Sequence, residues 1–156
     1  MTLLAIDPGS IVSGYTIVDI DTYKIIDKGI IENNQIHTLK ADHVVIERFQ
    51  SYGMAVGLSV MIAIWWAGRF YEHFGENTDR IFRKDIKLNI CGVTRAKDTN
   101  IRHALIERFA KHDLKRGTGT KANPDWFYGF KKDIWAAYAI AVTWIDNKNG
   151  KIKLDI

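Results

Sequence analysis

The chain predicts an α/β fold, a mixed five-stranded sheet flanked by helices. Two patterns point there. Leu3-Leu4-Ala5-Ile6 is an unbroken apolar run ended by Asp7 and the turn residues Pro8-Gly9-Ser10, as in a strand covered on both faces. Three strand-like segments joined by tight turns then give way to alternating strands and helices, which requires both antiparallel and parallel neighbours.

The first strand spans 2–7, and Gly14-Tyr-Thr-Ile-Val-Asp19 supplies the core of a second over 13–20. Asp19-Ile-Asp-Thr-Tyr23 reads as a hairpin turn into a third strand, 23–31, in which Gly29 marks a bulge. After a short irregular or helical link, His43-Val-Val-Ile-Glu47 repeats the design of the first strand, a β-branched run ended by an acid. A helix is expected over 54–74. Its apolar stretch from Met54 stops at Arg69, short of the ~20 residues that cross a bilayer, so it reads as a buried helix and not a membrane span. Trp65 and Trp66 point about 100° apart on such a helix. One can face the sheet and the other a partner, which makes this a candidate dimer surface, with plain core packing as the simpler reading.

A strand over 79–83, a helix over 98–110, a loop over 112–128 and a helix over 131–147 complete the order. The loop, with Gly117, Gly119, Asn123-Pro124 and the aromatics Trp126, Phe127 and Tyr128, is long enough to count as functional or mobile. The tail Lys151–Ile156 alternates and either pairs as an edge strand or frays.

At 156 residues and 47% hydrophobic content, one domain over 1–156 is expected, with no repeat or linker. Cys91 is the single cysteine, which excludes an intramolecular disulfide and leaves no Cys-His zinc spacing. The apolar start is too short for a secretory leader, so a cytoplasmic location is expected. The formal charge of +4 is uneven. Between Arg80 and Lys121 stand twelve Lys or Arg, Lys84 and Lys121 among them, against four acids. Charge runs are often only solvated faces. Here the run accompanies a set of carboxylates, which suggests a polyanionic substrate handled with a cationic metal.

Three acids carry the candidate chemistry. Asp7 and Glu47 sit at strand ends, where open α/β sheets place their sites, and Glu47 is followed by Arg48-Phe-Gln-Ser-Tyr-Gly53. Asp133 opens the last helix, where an acid also serves as a cap and complements the helix dipole.

In this order the acids resemble those of the RuvC-like Holliday junction resolvases of the ribonuclease H-like superfamily, especially the short bacteriophage forms. The resemblance covers nearly the whole chain. It rests on Leu4-Ala-Ile-Asp-Pro-Gly-Ser10 with Gly14-Tyr15, Val45-Ile-Glu47, Gly92-Val-Thr-Arg-Ala-Lys-Asp-Thr-Asn-Ile-Arg102, and Asp133 with Ala137-Tyr-Ala-Ile-Ala-Val-Thr143. It implies a ribonuclease H-like fold and a metal-dependent endonuclease that cuts four-way junctions, forks or other branched DNA during recombination and repair. The cofactors implied are two Mg2+ or Mn2+ ions, with Asp7 bridging both and Glu47 and Asp133 completing the shells. Converging carboxylates repel one another, and a pair of hard ions is suited both to neutralising them and to in-line phosphodiester attack. Lys97 would lie near the scissile phosphate, Arg95 and Arg102 on the duplex backbone, and Phe49 and Tyr52 against an unpaired base. A homodimer follows from symmetric cutting of two strands.

The chain departs from the family at one place. A second acid is common three residues into the last helix, one turn on, and here that residue is Ala136. Three acids suffice, another group such as Asp98 substitutes, or the chain was altered. Asp98 is also placed to cap the helix 98–110. The alternative function is a branched-DNA-binding protein that keeps the fold without cutting. An actin-like or sugar-kinase phosphate loop at Asp7-Pro-Gly-Ser10 would need two such domains, and the chain has length for one.

Overall fold

Five strands, β1 (Thr2–Asp7), β2 (Val12–Asp19), β3 (Ile25–Glu32), β4 (His43–Arg48) and β5 (Thr78–Phe82), form one sheet in the order β3-β2-β1-β4-β5 in the computed structural model, which describes residues 1–156. The helices are α1 (Leu58–Phe74), α2 (Arg83–Cys91), α3 (Asp98–Phe109) and α4 (Asp133–Lys148), with short 3-10 turns at Asn33–Thr38 and Gly75–Asn77. β1, β2 and β3 pair antiparallel, while β1, β4 and β5 run parallel. The carboxyl ends of those three parallel strands therefore share one edge, where Asp7, Glu47 and the start of α2 meet.

Alternation within the buried strands divides the core. Leu3, Ala5, Val45 and Ile81 face α4 together with α2 and α3, whereas Leu4, Ile6, Val44 and Ile46 face Phe70 of α1 and Ile36. α4 is buried from Ile134 to Asp146 save for Ala136, as a helix apolar on nearly every side must be. No helix is long and apolar enough to cross a membrane.

Several expectations are corrected. α2 replaces an expected connector: its sequence is mostly polar, and only Ile86 is fully buried, so its apolar stripe is too narrow to declare a helix. Gly92, in the left-handed conformation, ends it. α1 starts at Leu58, not Met54, with Gly57 extended at its N-cap. The β2–β3 irregularity falls between Ile17 and Val18, not at Gly29. Gly29 instead makes room for Tyr15, whose ring carbon would lie 2.9 Å from a Cβ there. The tail forms no strand; Leu154 donates its N–H to Asn147 Oδ1 at 2.7 Å.

Candidate active site

Asp7 ends β1, Glu47 lies next to the end of β4 in the parallel neighbour, and Asp133 is the first residue of α4. Two local devices bring them together. The loop after Asp7 is closed by a buried relay: the Gly9 N–H donates to Ser13 Oγ at 3.1 Å, Ser13 Oγ donates to Asn33 Oδ1 at 2.6 Å, and Asn33 Nδ2 donates back to the Gly9 carbonyl at 2.8 Å. Gly14, paired with Asp7 in the β1–β2 register, lies directly beneath the backbone of Asp133.

Burial first, and then the neighbouring carboxyls of Glu47 and Asp133, hold the Asp7 carboxyl well above the usual carboxylate range. Arg83, the first residue of α2, pulls the other way. Its guanidinium lies 3.4 Å from Glu47 Oε1 and is paired on its other arm with Asp98. Burial opposes its charge, yet Glu47, Asp98 and Asp7 keep its pKa above the ordinary value.

Asp7, Asp133, Arg83 and Asp98 open onto a cleft of about 350 Å³ that Arg102, Lys132 and Ala136, among others, also line. Arg102 stacks over Trp135, 4.6 Å from the ring centre, which holds its guanidinium at the cleft wall. Arg83 also lines a neighbouring depression with Glu47, Arg48, Phe49, Tyr52, Lys84 and Lys87. There Arg48 and Lys84 flank the Phe82 ring at 4.5 and 5.3 Å, and Tyr52 is 66% exposed.

Of the residues expected from the sequence, Asp7, Asp133, Asp98 and Arg102 meet in one cleft, and Glu47, Phe49, Tyr52 and Lys84 line the next. Lys97, Arg95 and Lys121 are exposed and line neither. Lys97 occupies the N-cap position of α3, where its N–H donates to Asn100 Oδ1 at 2.9 Å. Asp98 is therefore the first helical residue and not the cap; its side chain is taken by Arg83. Arg83 and Lys132 were not singled out from sequence. The available signal for Arg83 was its place just after β5, the parallel neighbour of the strand that carries Glu47.

The donors around Asp7 are all carboxylate oxygens, and its raised pKa reflects burial first and then the neighbouring Glu47 and Asp133, which Arg83 offsets only in part. Hard divalent cations suit such a donor set. The side chains are not drawn around a single point, since no three His, Cys, Asp or Glu groups stand in metal-holding proximity. Arg83 stands among them instead.

No protein-family model matches the chain, and no curated protein matches it. Solved structures do. A Thermus thermophilus RuvC structure is 16% identical, with a TM-score of 0.60 over 96% of this chain and 97% of that one. T. thermophilus RuvC in complex with Holliday junction substrate is 14% identical, with a TM-score of 0.67 over 96% of each chain. The likeness is one of fold: the mixed sheet and its helices have the ribonuclease H-like architecture of those structures.

Proposed function

We propose that the chain is a metal-dependent, structure-selective DNA endonuclease that hydrolyses phosphodiester bonds at Holliday junctions and related branched DNA. The observation that carries this reading is the meeting of Asp7, at the end of β1, and Asp133, at the start of α4, in a cleft walled by Arg102 and Lys132, with Glu47 beside Asp7 on the neighbouring parallel strand. The shared fold with a RuvC bound to a Holliday junction substrate supports it.

Asp7, Glu47 and Asp133 would hold Mg2+ or Mn2+, two ions per site, with Asp98 as a further oxygen donor. The chemistry the ions supply when bound is activation of the attacking water and stabilisation of the departing 3′-oxygen. The chain's own residues bind and orient. Arg102 and Lys132 take phosphate oxygens at the cleft wall, and Arg48, Lys84 and Lys87 take the backbone beyond Arg83. Exposed Tyr52, with Phe49, offers a stacking face for an unpaired base at the branch point, worth ~1–3 kcal/mol. Arg95, Lys97 and Lys121 extend the cationic surface outside the clefts.

A homodimer would supply two such sites related by a two-fold axis. Its surface is the outer face of α1, where Leu58, Met61, Ile64 and Trp65 are exposed while Trp66 packs inward. A contiguous apolar face of this kind is characteristic of an interaction surface.

Ala136 at the cleft and the pairing of Glu47 with Arg83 favour a second reading, a branched-DNA-binding protein that does not cut. Labelled four-way junctions and linear duplexes, incubated with Mn2+ or Mg2+ and with chelator, separate the two. The nuclease reading expects junction-selective, divalent-dependent nicking that Asp7→Asn abolishes without loss of junction binding. Binding with no nicking in either metal supports the second reading, and full activity in Asp7→Asn overturns the site assignment.

A further inference from the structure

Past Asp133 the surface dips again into a depression of about 690 Å³ lined by Lys28, Tyr128, Lys131, Lys132 and Asp133, which shares no residue with the Tyr52 depression. Lys132 and Asp133 also line the carboxylate cleft, so the two spaces are joined through that residue pair. Asp133 is the one acid in the wall of this second space.

Three features distinguish it from a solvated lysine face. None of the three lysines takes part in an ion pair, although the molecule pairs Arg83, Arg108, Arg116 and Lys151 with carboxylates. Lys28 is held in place: its Nζ lies 5.7 Å from the Phe130 ring centre, and its side chain runs along Gly129, where a Cβ would meet Lys28 Cε at 3.4 Å. Lys132 adopts φ 42° and ψ −125°, a backbone conformation that side-chain-bearing residues rarely take and that persists where surrounding structure enforces it, often at ligand clamps. Glycine would fit that conformation better; the chain places a lysine there.

We propose that this pocket is a second phosphate-binding subsite, which takes the sugar-phosphate backbone of the DNA strand as it leaves the carboxylate cleft on the side opposite Phe49 and Tyr52. This deepens the nuclease reading and rests on it. Lys132 stands at the passage between the two spaces and contacts the strand next to the reacting phosphodiester, while Lys28 and Lys131 take phosphates farther along. Tyr128, 43% exposed at the rim, offers a face to a base or a sugar. The strand thus runs from the Tyr52 depression, past Arg83 and Asp7, to the lysine pocket.

The test uses full-length protein carrying Asp7→Asn and a four-way junction, with anisotropy measured across a salt series. Adding Lys28→Gln, Lys131→Gln and Lys132→Gly removes the charges, and glycine relaxes the backbone at 132, so folding is not put at risk there. The triple change is expected to weaken binding by at least about tenfold and to lower the slope of log affinity against log salt by about 2 to 3, near 0.9 per lost phosphate contact. Phosphate-ethylation interference gives the side: modified phosphates on one side of the cut position should cease to interfere in the triple variant, while those on the Tyr52 side still do. An unchanged slope, or interference lost equally on both sides, overturns the subsite and leaves the nuclease reading intact. Failure of the Asp7→Asn parent to bind junctions overturns both.

Discussion

Gly14 and Asp133 are packed backbone against backbone: a Cβ on Gly14 would lie 2.5 Å from the Asp133 carbonyl oxygen and 2.7 Å from its Cβ. Because Gly14 is also the register partner of Asp7, the absent side chain is what lets the last helix begin beside the first strand. Gly14→Ala must push α4 outward and carry the Asp133 carboxylate away from Asp7. Overpacking of this sort costs ~1–3 kcal/mol. The expected outcome is a lower Tm together with a loss of junction cleavage of more than about tenfold, since small displacements of reacting groups are costly. Wild-type cleavage in Gly14→Ala would show that the contact does not position Asp133.

Asp7 should be a stability liability in the absence of divalent ions. Its folded pKa is raised above the ordinary value of 3.8 by burial and by Glu47 and Asp133, so the folded state holds the proton more tightly than the unfolded one. Below the unfolded value there is no penalty. The penalty grows as pH rises from there and is complete above the raised folded pKa. Asp7→Asn cannot ionise and avoids it. Thermal melts in chelator should therefore show Asp7→Asn more stable than the parent at pH 8, with the gap closing as pH falls towards 4. Added Mn2+ should raise the Tm of the parent more than that of the variant. A pH-independent gap would mean that Asp7 ionises freely in the folded chain.

Ala136 lines the cleft one turn after Asp133 on α4 and is the sole residue not fully buried between Ile134 and Asp146. A carboxylate there would face the same space as Asp133. Ala136→Asp is expected to tighten Mn2+ binding measured by calorimetry and to lower the Tm in chelator, where one more anion joins the cluster. Unchanged Mn2+ affinity would show that position 136 cannot reach the ion.

The acids were legible in the sequence because their signals are local. Asp7 and Glu47 each end an apolar run, and Asp133 opens an apolar helix, so strand ends and a helix start were enough to nominate them. Arg83 was not, since its role depends on the β4–β5 register that sets Arg48 opposite Phe82, a long-range fact. Lys28 is remote in sequence from Lys131 and Lys132, and only the packing of β3 beside the segment before α4 joins them. The loop over 112–128 reads from its length as functional or mobile. It is anchored by Asp125, whose carboxylate accepts the N–H groups of Lys111, His112, Asp113 and Trp126, and by Phe127 in the core. Nothing in the composition of a turn distinguishes an aspartate that gathers four donors from one that faces water.

Arg83 offers the sharpest separation of roles within the cleft. It supplies the positive charge that Glu47 and Asp98 use in the absence of a metal, and it occupies space that a divalent ion at those same oxygens would contest. Arg83→Gln keeps a hydrogen-bond donor and removes the charge. In chelator at pH 8 the variant should melt lower than the parent, because Glu47 is buried and loses its counterion. The variant should nonetheless bind Mn2+ more tightly than the parent, since a competing cation is gone. Calorimetric titration of both proteins checks this directly. Weaker Mn2+ binding in Arg83→Gln would mean that the arginine orients Glu47 for the ion and does not compete with it.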